Sequence, residues 1–96
     1  GHNYVLDVTL GGSIDPLTGM VINLTEVDRI LKDVTDPLDH HHLNFDVPYF
    51  SEIVPTTENI AKYCFDEVAK QLPAGVKITR ARLYEAPTLW ADYTGE

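Results

Sequence analysis

Asn3-Tyr4-Val5-Leu6-Asp7-Val8-Thr9-Leu10, residues 3–10, sets Tyr4, Leu6, Val8 and Leu10 on one face and Asn3, Asp7 and Thr9 on the other. A period of two with one apolar face is the pattern of a half-buried antiparallel strand. Gly11-Gly12 ends or bulges that strand. Asp15-Pro16-Leu17-Thr18-Gly19 then reads as a turn, with Pro16 fixing φ and Gly19 free to take φ > 0. Residues 20–24 alternate again, so 3–24 is expected to form a long hairpin. Thr25 reads as an N-cap, with Glu26 and Asp28 in the first turn to suit the helix dipole. Val27, Ile30, Leu31 and Val34 follow at helical spacing, predicting a helix over 25–35.

Residues 36–56 lack periodicity and contain Pro37, Pro48 and Pro55. Connections of this length in small domains often carry function. Thr57 then reads as the cap of a second helix over 58–72, with a stripe of Ile60, Ala61, Cys64, Phe65, Val68, Ala69 and Leu72. Pro73-Ala74-Gly75 stops it. Residues 76–85 and 89–94 read as a second hairpin around Ala86-Pro87. The helices are expected to cover one face of an antiparallel sheet, an α+β sandwich in a single domain over residues 1–96.

The chain has 96 residues, 44% of them apolar, enough for one core. A lone domain of this size is marginally stable, so further burial in an oligomer would help it. The formal net charge of −8 argues against nucleic acid or an anionic membrane as partner, since both demand a positive face. It leaves room for a small anionic substrate, which needs only a local cluster drawn from the seven Lys and Arg residues. Cys64 is the single cysteine, so no intrachain disulfide is possible, and a reducing, cytoplasmic location is expected. No run of 18 apolar residues marks a membrane span, and no signal peptide is visible. The chain opens on Gly1-His2-Asn3-Tyr4, straight into a strand, and further residues are expected upstream.

A few residues could carry chemistry. Asp39-His40-His41-His42 reads either as a solvated loop or as an Asp–His pair. In such a pair the carboxylate fixes the imidazole tautomer and raises its pKa, giving a general acid/base near neutral pH. Adjacent histidines rarely converge on one metal ion. His2 reads as a surface histidine or as a metal ligand. Glu85, at a strand end, is either an exposed carboxylate or an acceptor for two parallel N–H groups of a guanidine-like ring edge. Cys64 lies on the apolar stripe and is expected in the core rather than as a nucleophile. Tyr84, Trp90 and Tyr93 are expected to pack on the sheet.

Several strings together resemble one family. They are Gly1-His2-Asn3-Tyr4; Ile14-Asp15-Pro16-Leu17-Thr18-Gly19-Met20-Val21 with Asn23-Leu24-Thr25; and Pro37-Leu38-Asp39-His40 with Leu43-Asn44. Asp46-Val47-Pro48-Tyr49-Phe50, Pro55-Thr56-Thr57-Glu58-Asn59, Tyr84-Glu85 and Tyr93-Thr94-Gly95-Glu96 complete the set. In this order, from residue 1 to 96, they are similar to the 6-pyruvoyl-tetrahydropterin synthase family, with its relative 6-carboxy-tetrahydropterin synthase. The resemblance implies the tunnelling fold: a four-stranded antiparallel sheet with two helices on one face. Three subunits would join into a barrel and two trimers would stack into a hexamer, with active sites at subunit interfaces.

Carried over by residue, the resemblance makes His2 the last of three zinc-ligating histidines. It makes Asp39 and His40 an acid/base pair, and Glu85 the anchor of a pterin ring. Thr56 and Thr57 would lie near the pterin at the start of the second helix, where backbone amides are free to donate. The implied reaction converts 7,8-dihydroneopterin triphosphate to 6-pyruvoyl-tetrahydropterin. Zn²⁺ would acidify the side-chain hydroxyls, a base would remove protons, and triphosphate would leave. No redox cofactor is needed. The family's first strand, two of its zinc histidines and its catalytic cysteine are expected upstream of Gly1. The chain as it stands should therefore bind zinc poorly and catalyse poorly, as a fragment of an intact enzyme. The competing readings are a 6-carboxy-tetrahydropterin synthase of deazapurine (queuosine) biosynthesis, a non-catalytic pterin-binding oligomeric module, and a metal-binding module built on His40, His41 and His42.

Overall fold

The computed structural model describes residues 4–38 and 47–95. Strand β1 spans Val5–Gly12, helix α1 Leu24–Thr35, a single 3₁₀ turn Pro48–Ser51, helix α2 Thr57–Gln71, and strands β2 and β3 Val76–Ala86 and Leu89–Tyr93. The strands form one antiparallel sheet in the order β1-β2-β3. Leu6, Val8 and Leu10 are partly buried while Val5, Asp7 and Thr9 are exposed, so the alternation of β1 holds. Helix α2 lies over β2 and β3, and α1 packs against α2. The core joins Ile30 and Val34 of α1, Ile60, Cys64 and Val68 of α2, and Ala81 and Leu83 of β2. The fold class is α+β, as expected.

The expected second strand of the first hairpin is a correction. Among the described residues the sheet has three strands, and residues 20–23 belong to none. Two local structures compete for that segment. The preceding loop closes on itself, with Asp15 N donating to Met20 O and Gly19 N to Asp15 O, both at 2.8 Å. Then Asn23, rather than Thr25, caps α1: its side-chain oxygen accepts from Thr25 N at 2.8 Å. Side-chain capping of this kind outweighs a short alternation. Met20, Val21 and Ile22 instead line an apolar hollow with Val8, Leu10 and Val27. Val21 also reaches over Gly12, where an added Cβ would stand 2.5 Å from Gly75 O. That close approach explains the glycine at the end of β1.

The second helix is shifted in the same way. Thr56, not Thr57, is its N-cap, accepting from Asn59 N at 3.1 Å. On the face away from the helices, Arg82 grips Asp92 through two hydrogen bonds of 2.7 and 2.9 Å. Arg82 also lies 5.1 Å from the Trp90 ring centroid, and Trp90 packs on Tyr84 across the strands at 5.7 Å. These aromatics pack on the sheet as expected.

Cys64 is fully buried, and burial, with a smaller contribution from Glu67, pushes its thiol up to about 12. The thiol should stay unreactive toward a disulfide reagent at pH 8 in the folded chain and react at once after denaturation. Fast reaction of the native protein would contradict the packing. Because the folded thiol ionises above the ordinary value of 9.0, stability present below pH 9 should decline as pH rises toward 12.

Candidate functional site

Strand β2 carries a bulge at its end. Tyr84 pairs with Trp90 and Ala86 with Leu89, so Glu85 is the extra residue with no partner on β3. Bulges of this kind re-aim side chains and terminate pairing. Parity along β2 puts Glu85 on the face of Ala81 and Leu83, which is the helix-covered face. Its carboxylate therefore turns toward the N-terminus of α2, and Thr57 Oγ1 donates to Glu85 Oε2 at 3.2 Å.

The start of α2 is held independently. Thr56 caps it, while Thr56 N and Asn59 Nδ2 both donate to Val54 O at 2.8 Å. This fixes the turn through Pro55 just ahead of the helix. Glu85 is half-buried and lines a hollow of ≈ 410 Å³ with Val5, Tyr84, Ala86 and Pro87. Val5 and Tyr84 pair on the face away from the helices, so their apolar surface lies across the sheet from the Glu85 carboxylate. A carboxylate held by Thr57 suits a ligand that presents paired N–H donors.

Of the residues singled out from sequence, the structure brings together Glu85, Thr57 and Thr56. His2, Asp39 and His40 lie outside the described residues, as do His41 and His42. Among the described residues no group of three His, Cys, Asp or Glu side chains could hold a metal ion. Cys64 is sealed in the core. The described residues therefore do not build a zinc site. Sequence reasoning missed Val5, Tyr84 and Pro87 as walls of the hollow, Asn59 as a brace and the bulge at Glu85. Glu85-Ala86-Pro87 signals where β2 ends, since proline ends regular pairing, but not the bulge.

The family model described as 6-pyruvoyl tetrahydropterin synthase matches residues 1–96. The chain belongs to this family. A 6-pyruvoyl tetrahydrobiopterin synthase of Poecilia reticulata is 47% identical over 97 residues, covering 100% of this chain and 65% of the relative. That of Homo sapiens is 45% identical over 97 residues, covering 100% of this chain and 66% of the relative. The solved Caenorhabditis elegans 6-pyruvoyl tetrahydropterin synthase superposes with a TM-score of 0.86 at 34% identity, covering 99% of this chain and 68% of that one. The chain thus spans about two thirds of the length of the curated relatives it matches. In this synthase-family chain, the Glu85 corner and the start of α2 are the parts of the expected site that the structure describes. No helix among the described residues is long and apolar enough to cross a membrane.

Proposed function

We propose that this chain is part of a lyase that converts 7,8-dihydroneopterin triphosphate to 6-pyruvoyl-tetrahydropterin with loss of triphosphate. The observation that carries the reading is the Glu85 carboxylate, bulged out of β2 and held by Thr57 at the start of α2. A carboxylate so placed accepts two parallel N–H groups, and the 2-amino and ring N–H edge of a pterin offers that pair. Membership in the synthase family supports the same substrate class.

In this reading Asp39 and His40 are the acid/base pair that moves protons at the substrate side chain. His2 would hold Zn²⁺ in part, on the resemblance of Gly1-His2-Asn3-Tyr4 alone. Assembly into a trimer or hexamer with shared sites, in the cytoplasm, completes the proposal. The small core agrees with burial of further surface in an oligomer.

The test is product analysis. The purified protein is incubated with 7,8-dihydroneopterin triphosphate and zinc, and triphosphate release and product mass are recorded. Triphosphate with a product of 6-pyruvoyl-tetrahydropterin mass is expected when the chain is assayed within the intact enzyme of which it is proposed to be part, and little turnover from the 96 residues alone. A product of 6-carboxy-tetrahydropterin mass would reassign the chemistry, and no turnover with intact pterin binding would leave a binding module.

A further inference from the structure

Glu side chains rotate about three bonds, so a carboxylate at a strand end does not hold one plane by itself. Two parallel hydrogen bonds require that plane to match the donor edge. The structure supplies a restraint on it. Thr56 caps α2 through its own hydroxyl, so the neighbouring Thr57 hydroxyl is not used for capping. It reaches instead across 28 positions of sequence to Glu85 Oε2. Thr57 sits in the first turn of a capped helix, and its β-branched side chain has few rotamers. The donor is therefore itself fixed in space. A hydroxyl takes one lone pair of Oε2 and leaves the others of the carboxylate for a ligand.

We propose that Thr57 is a positioning residue: its hydroxyl fixes the rotation of the Glu85 carboxylate so that both oxygens meet the paired N–H edge of a pterin. The role acts through Glu85 and rests on the assignment of Glu85 as the pterin anchor. It differs from a direct contact between Thr57 and the ring, which would add its own binding independently of Glu85.

The experiment measures biopterin binding, by quenching of the pterin fluorescence, for the full chain and for Thr57→Val, Thr57→Ser, Glu85→Gln and the Thr57→Val/Glu85→Gln double variant. Valine keeps the shape and removes the hydroxyl; serine keeps the hydroxyl. Thr57→Val should weaken binding about tenfold, the loss of one hydrogen bond to a charged group, and Thr57→Ser should stay near the parent. In the Glu85→Gln background, Thr57→Val should cost almost nothing more, because coupled residues do not add. Equal losses for valine and serine, or a further tenfold loss in the double variant, would overturn the positioning role. Unchanged binding in Glu85→Gln alone would remove the anchor assignment itself. A Thr57→Val that binds like the parent while Glu85→Gln does not would overturn only the role of Thr57.

Discussion

Phe50→Ala is expected to lower the free energy of unfolding by about 3–5 kcal/mol, the usual cost of emptying a large buried aromatic site. Phe50 is 0% exposed and sits in the 3₁₀ turn, tied down by Phe50 N donating to Val47 O at 2.9 Å. Its ring meets Tyr49 edge-on at 4.9 Å and Tyr63 of α2 at 5.4 Å. The side chain is thus the pin that holds the described part of the long connection against α2. Removing it empties the pin site and frees the segment leading to Thr56. For a domain of this size the melting temperature should fall by roughly 12 °C or more. Leu17→Ala is the control: Leu17 is 94% exposed at a loop tip, and its truncation should stay within about 0.5 kcal/mol. Denaturant titration at one fixed protein concentration reads both. A Phe50→Ala loss as small as that of Leu17→Ala would mean that this turn is not part of the cooperative core.

Periodicity carried most of the fold. The alternation of Leu6, Val8 and Leu10 and the stripe of Ile60, Cys64 and Val68 each report which side of an element is wet, and that is a local property of the chain. What failed was also local but ambiguous. Asn23 stands two residues before the expected cap Thr25, and Thr56 immediately before the expected cap Thr57, and all four are residue types that cap helices. The choice follows from the geometry of the preceding turn: Asp15 and Gly19 close one loop, Val54 and Asn59 the other. The strand expected over residues 20–24 was lost to the Asn23 cap.

The site was legible only in its residue types. Glu85 stood out at a strand end, but its bulge is a mismatch of register with β3, which no window along β2 contains. A similar shift between Thr9 and Leu10 leaves Thr79 extra opposite β1, and buries both Ile78 and Ala81, three apart where alternation predicts two. That spacing is a signal a sequence can show. The bond from Thr57 to Glu85 joins distant segments and exists only once the helix has docked on the sheet.

His40→Ala is expected to lower turnover by about 10²–10⁴-fold, the range for loss of a positioned general acid or base. The argument starts from Pro37-Leu38-Asp39-His40, where a carboxylate adjoins an imidazole whose ordinary pKa lies close to neutral. If the pair moves protons only as the reaction proceeds, substrate binding does not depend on it. Biopterin should then bind His40→Ala as it binds the parent, through Glu85. Measured by triphosphate release, kcat and kcat/KM should fall together, as they do when a contact made only in the transition state is removed. Glu85→Gln should behave differently, with its loss appearing in pterin binding as well as in rate. The two variants therefore separate anchoring from proton transfer. Unchanged turnover in His40→Ala would end the acid/base assignment. If the intact parent enzyme also shows no turnover while Glu85→Gln still loses pterin, the protein is a module that recognises the ring and leaves its side chain untouched.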